Sequence, residues 1–183
     1  MIEISIQGRG GQGVVIASKI LASAFFIEGK WVQSFPSFGG ERRGAPVRAF
    51  VRVDDNRILR RSLVYEPDHI LILDASLFEE IDVSAGLKPG GWIVINSSKP
   101  PSFFRSLTQY HVATVDGSRI AFNFGLGSSV APIVNTAMLG AFSRATRLVK
   151  IDSIIKGIRE GVFQNMEANV ESAMKTYQEV EAN

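Results

Sequence analysis

The sequence contains no cysteine. That excludes a disulfide, a thiolate nucleophile and the thiolates that normally hold an iron–sulfur cluster. Histidine is almost as scarce: His69 and His111 lie far apart, each in or beside a strand-like run. No apolar stretch is long enough to cross a bilayer, because charge, glycine or proline interrupts each one at strand length. Neither sign of charge dominates. Twenty Lys and Arg against 18 Asp and Glu leave a formal net charge of +2, too small to argue for a nucleic-acid or membrane partner. The chain opens directly on a strand-like run, so no signal peptide is expected and cytoplasmic residence is the default. A serine elbow, paired carboxylates and a metal-spaced His/Asp/Glu cluster are missing too. No catalytic residue and no metal ligand is therefore assigned.

What is present is enough for a normal core. At 183 residues, 45% apolar and 21% charged, the chain is expected to form a single domain over 1–183, with residues of about 151–183 as a helical end. The stretch that organises it is residues 7–15, QGRGGQGVV. An apolar-alternating run, 1–6, leads in, and a long apolar segment reading as a helix over 14–28 leads out. Gly8, Gly10 and Gly13 keep the G-x-G-x-x-G spacing, and Gly11 adds a fourth glycine. Such a strand–turn–helix junction leaves backbone N–H groups unobstructed at a helix N-terminus, which suits an anion, and Arg9 adds positive charge. The same spacing also serves a tight βα turn packed closely on its own sheet. The turn lacks the Lys-Ser/Thr of a phosphate-binding P-loop. A dinucleotide site also needs a carboxylate at the end of the second strand. That strand, 31–35, ends in Gln33, Ser34 and Phe35, so NAD or FAD is disfavoured.

The second specialised stretch is 36–46, PSFGGERRGAP. Its glycines, prolines and adjacent charges exclude a regular core element. Glu41, Arg42 and Arg43, flanked by Phe38 and Gly44, read either as a solvated surface loop or as a loop that meets an anionic ligand or a partner's carboxylates. Phe35 and Phe38 beside the arginines fit an interface.

The remaining elements follow from periodicity. Residues 47–53 alternate, with Arg48, Phe50 and Arg52 on a semi-polar face, and 57–59 is expected to return as a hairpin partner. Residues 69–73 form an apolar strand ended by Asp74, which reads first as the N-cap of a short helix and second as a carboxylate where α/β clefts open. Strands follow at 92–96 and 112–115, then a short helix at 118–124, a flexible glycine–serine stretch at 125–129 and a long helix over 132–149 containing Asn135. Two amphipathic helices close the chain. The order predicts an α/β, three-layer, Rossmann-like fold with a largely parallel twisted sheet and a helical C-terminus.

GRGGQG at 8–13, FPSFGGERRGAPV at 35–47, LKPGG at 87–91 and NTAMLGAF at 135–142 together resemble the gamma subunits of the 2-oxoacid:ferredoxin oxidoreductases, in the style of the pyruvate synthase branch. The resemblance spans residue 2 to about 149; the helices beyond Lys150 lie outside it. It implies a holoenzyme that converts a 2-oxoacid and coenzyme A to acyl-CoA and CO2 while reducing ferredoxin. It also implies partner alpha, beta and delta subunits, on which thiamine diphosphate, Mg2+ and 4Fe-4S clusters reside. This chain would hold no cofactor alone, yet Gly8, Arg9, Gly10, Gly11, Gln12 and Gly13, with the loop of Arg42 and Arg43, would contact coenzyme A. A free-standing Rossmann-type nucleotide-binding module and a ligand-free interaction scaffold stand as the alternatives.

Overall fold

The computed structural model describes residues 1–37 and 44–183; Phe38, Glu41, Arg42 and Arg43 lie outside the described residues. Strand β1 (Ile2–Arg9) runs into the glycine turn, and helix α1 (Val14–Ile27) leaves it. Strands β2 (Trp31–Ser37), β3 (Pro46–Asp54), β4 (His69–Ile72), β5 (Trp92–Asn96) and β6 (His111–Val115) follow, then α2 (Gly117–Asn123). A small antiparallel pair, β7 (Gly127–Ser128) and β8 (Ala131–Pro132), precedes α3 (Ala137–Thr146), α4 (Ile151–Gly161), α5 (Met166–Glu179) and a short β9 (Glu181–Ala182).

The seven-stranded sheet has the order β2-β3-β1-β4-β5-β6-β9. β1, β4, β5 and β6 are parallel neighbours, as their near-continuous apolar runs require. The first βαβ unit is split. β2 does not lie beside β1; β3 inserts between them, antiparallel to both. The antiparallel partners of 47–53 are thus β1 and β2, and 57–59 forms no strand. The reason lies in side-chain polarity on alternate faces. Ala49, Val51 and Val53 enter the helical core beside Ile4 and Ile6, while Arg52 pairs across the sheet with Glu3 on the other face.

One face of the sheet carries the α-helices. Ile4, Ile6, Leu71, Leu73, Val94 and Val115 pack there against Leu21, Phe25, Phe142 and Ile158. Burying each such side chain stabilises the fold by about 1.5–3 kcal/mol. The opposite face is covered by loops and 3-10 turns, where Ile70, Ile72, Ile93 and Ile95 meet Leu77, Val83, Leu87 and Leu107.

The helix expected at 132–149 is shorter. Pro132 belongs to β8, Asn135 precedes the helix, and Arg147 ends it with a left-handed φ of 55°. Within the expected glycine–serine stretch, Gly127 and Ser128 are strand. β9, which periodicity did not anticipate, pairs antiparallel with β6 because α5 returns the chain to that edge.

His69 is structural. Its Nδ1 accepts the Trp92 N–H at 3.2 Å, which requires an unprotonated nitrogen. Burial pushes its pKa below the usual histidine range, the Lys88 ammonium adding to that and Asp68 opposing it. A base with a depressed folded pKa contributes stability that is complete above its unfolded value near 6.5 and lost as pH falls below it. The chemical-denaturation midpoint of the chain is expected to fall between pH 7 and pH 5. His69→Asn, which keeps an acceptor but removes the titration, should flatten that slope; an unchanged slope would refute the assignment.

Candidate functional site

The glycine turn sits at the carboxyl ends of β1, β4 and β5, the edge of a parallel sheet where clefts open. Gly11 and Gly13 have φ of 99° and 77°, values that a side chain strains against. Gly8 serves packing instead: a Cβ there would lie 2.7 Å from Val14 Cγ2 and 3.2 Å from Leu73 Cβ. Asn135, just before α3, presses against Gly13, where a Cβ would meet its Nδ2 at 2.3 Å. The two specialised sequence stretches also meet. Gly10 N–H donates to Ala45 O at 2.9 Å, and Gly44 N–H donates to Gly10 O at 3.2 Å. The insertion of β3 beside β1, which places Arg9 opposite Pro46, makes this junction.

The turn borders a cleft of about 530 Å³. Its floor and walls include Arg9, Gly11, Gln12, Asp74, Asn96 and Ser118, and the β7–β8 hairpin contributes Val130 and Ile133 on an apolar side. Among the described residues, the amides of Gly11, Gly13 and Val14 have no hydrogen-bond partner, as expected at a helix start. Gly10 N–H is taken by Ala45, and Arg9 N–H by Gln12 Oε1 at 2.7 Å.

Arg9 is more committed than the sequence reading allows. Its Nε and Nη2 donate to Ser76 Oγ at 3.0 and 2.7 Å, its Nη1 donates to Gly44 O at 3.0 Å, and its Nη2 lies 2.6 Å from Glu80 Oε1. The hydrogen bond it donates to Glu80 raises its pKa further above the usual arginine value. An incoming anion therefore meets a guanidinium already balanced by carboxylates, of which Glu80 is about half exposed.

Asp74 fills both of its expected roles at once. Oδ1 accepts from Ser76 N at 2.9 Å and Ser76 Oγ at 2.6 Å, capping the 3-10 helix Ala75–Glu79. Oδ2 accepts from Gln12 Nε2 at 2.7 Å and lies 3.5 Å from Arg9 Nε. Burial works to raise its pKa, but the bonds from Ser76 and Gln12 and the charge of Arg9 outweigh that and hold it below the usual carboxylate range.

Sequence reasoning missed Asn96 and Ser118. Asn96 Nδ2 donates to Leu73 O at 2.8 Å and to Ser118 Oγ at 2.9 Å, closing the cleft between β4, β5 and α2. The signal was available: Asn96 ends its parallel strand as Asp74 follows the neighbouring one. Phe35 is not an exposed interface aromatic. Its ring lies 5.7 Å from Phe50 and 5.0 Å from the Arg52 guanidinium.

A family profile described as "Pyruvate ferredoxin/flavodoxin oxidoreductase" matches residues 3–179. The chain belongs to this family. The match runs through α5, so the C-terminal helices that the motif resemblance left out lie within it. "Pyruvate synthase subunit PorC" of Methanothermobacter thermautotrophicus is 48% identical over 182 residues, 99% of this chain and 97% of its own. "Pyruvate/ketoisovalerate oxidoreductases common subunit gamma" of Thermococcus kodakarensis is 50% identical over 163 residues, 87% and 86% of the two chains. The crystal structure of pyruvate oxidoreductase subunit PORC from Thermotoga maritima superposes with a TM-score of 0.84 at 34% identity, covering 100% of this chain and 98% of that one. The gamma-type reading of the loop motifs thus agrees with the relatives, and the fold with the solved structure. Among the described residues, no group of three His, Asp or Glu could hold a metal ion, and no helix is long and apolar enough to cross a membrane.

Proposed function

We propose that this chain is the gamma subunit of a multi-subunit, cytoplasmic 2-oxoacid:ferredoxin oxidoreductase acting on pyruvate, and that its cleft contacts coenzyme A. In that assignment residues 1–183 act as one gamma-type domain. Thiamine diphosphate, Mg2+ and 4Fe-4S clusters belong to alpha, beta and delta partners, through which ferredoxin is reduced. The family and the names of the relatives support the complex. The junction of the two loop stretches carries the coenzyme A reading, because it sets the amide of Gly11, just ahead of a 14-residue helix, in a cleft that Val130 and Ile133 also line. Amides at a helix start suit phosphate oxygens, and the apolar side suits the thin pantetheine arm. Arg42 and Arg43, close in sequence to Gly44, would add the charge that Arg9 has already committed to Glu80 and Asp74. When bound, coenzyme A supplies the thiol that accepts the acyl group; this chain would orient it and contribute no bond-making residue.

The balanced charge of Arg9 favours one rival, a scaffold with no small ligand. Gly11→Ala separates the two. A Cβ at Gly11 meets nothing within 4 Å, so alanine there disturbs no packed neighbour, but it strains against the φ of 99° and shifts the turn that presents the amides. In the assembled complex the KM for coenzyme A is expected to rise about tenfold, the equivalent of roughly 1.4 kcal/mol, while the KM for the 2-oxoacid holds. An unchanged coenzyme A KM would favour the scaffold.

A further inference from the structure

A main-chain hydrogen bond from Gln12 N–H to Arg9 O, at 3.0 Å, closes the glycine turn, and two left-handed glycines flank Gln12. Gln12 lies between Gly11 and Gly13, and its carboxamide is used on both sides. Oε1 accepts the Arg9 N–H at 2.7 Å, and Nε2 donates to Asp74 Oδ2 at 2.7 Å. A carboxamide is the neutral side-chain head that can accept with one atom and donate with the other. Room for it comes from Gly8, where a Cβ would lie 3.1 Å from Gln12 Oε1. Asp74 holds Arg9 by a second route. The Ser76 hydroxyl gives its proton to Asp74 Oδ1 and accepts twice from the Arg9 guanidinium, which uses its full hydrogen-bonding capacity. Main chain and side chain of Arg9 are each bound, through one intermediary, to the same carboxylate at the end of β4.

We infer that Gln12 and Asp74 are a positioning pair: their carboxamide–carboxylate hydrogen bond sets the glycine turn in the conformation that presents its amides to a phosphate-bearing ligand. The inference rests on the coenzyme A reading of the cleft. Neither residue has to touch the ligand. Loss of the bond frees the turn to move between Gly11 and Gly13, and the ligand then orders it on binding at the expense of affinity.

The test uses the assembled oxidoreductase with Gln12→Glu, Asp74→Asn and the two together. Gln12→Glu sets two carboxylates against each other; Asp74→Asn weakens the acceptor. Each single substitution is expected to raise the coenzyme A KM about tenfold, with kcat and the 2-oxoacid KM within about twofold. In the double variant the polarity of the pair is reversed. The carboxylate at position 12 accepts from Arg9 N–H and from the amide introduced at position 74, whose oxygen still accepts from Ser76. The coenzyme A KM should return to within about threefold of the parent. A role confined to capping the 3-10 helix predicts no such rescue, so a double variant as poor as the worse single one overturns the inference. If both singles leave the coenzyme A KM unmoved while Gly11→Ala raises it, the inference fails and the reading of the cleft stands. If all three leave it unmoved, the reading itself fails. Should a single variant not assemble, the double variant decides: recovery of both assembly and coenzyme A KM supports the pair, and recovery of neither or of assembly alone overturns it.

Discussion

Arg52→Met is expected to lower the unfolding free energy by about 3–5 kcal/mol, because it leaves a buried carboxylate without its cation. Arg52 is fully buried in the polar half of the sheet face opposite the helices. Its Nε lies 2.7 Å from Glu3 Oε1, and its Nη2 donates to Ser62 O at 2.6 Å. The longer Nη1 contacts, to Gln33 Oε1 and Arg60 O, are both 3.4 Å, and the Phe35 ring stacks beneath it. Arg60, whose side chain is exposed, also reaches toward Glu3, at 3.7 Å. That contact is long and solvated, and it does not replace the lost partner. The distinguishing variant is Glu3→Met with Arg52→Met. Removing both charges also removes the penalty of leaving one unpaired, so the double variant should recover most of the loss. Denaturant titration of the parent and the two variants checks this. A double variant less stable than Arg52→Met would show that the network around Ser62 and Gln33, and not the ion pair, dominates.

Gly140→Ala should cost about 3 kcal/mol or more, at the upper end for overpacking. Gly140 lies where α3 crosses α5, and a Cβ there would be 1.8 Å from Ala173 O and 2.7 Å from Thr176 Oγ1. The obstacle is main chain, which cannot move aside as the tip of a side chain can. The crossing is close throughout: the Thr176 hydroxyl lies between the Ala137 and Ala173 carbonyls, and Thr136 Oγ1 donates to Asn169 Oδ1 at 2.6 Å. Gly161→Ala is the control. Its Cβ would approach only the Ile20 side chain, at 3.2 Å, so the change should stay within about 1 kcal/mol. Thermal unfolding followed by circular dichroism would show a large drop in Tm for the first and almost none for the second. Equal drops would mean that the helix crossing relaxes.

Much of the site was legible before any coordinates. Residues 7–15 announced strand, turn and helix, because glycine spacing and hydrophobic period are local properties of the chain. Asp74 was legible as well, since an apolar run that ends in a carboxylate marks the end of a buried parallel strand. The commitment of Arg9 to Glu80 was not, because 71 residues separate them and no local pattern records such a pair. Gln12 looked like one more member of a motif. Its role appeared only when β4 brought Asp74 within 2.7 Å.

The sequence by itself determined the types of the longer elements, the parallel centre of the sheet, the absence of thiolate chemistry and the two loop stretches that mark the family. These depend on residue types and short-range periodicity. Tertiary structure alone decided that β3 would enter between β1 and β2, joining the glycine turn to Gly44 and Ala45, and which partners would balance Arg9 and Arg52. The physical reason is that strand order follows from which faces can bury together across the whole sheet. Charge pairing in turn follows strand order, and neither is written in any window of adjacent residues.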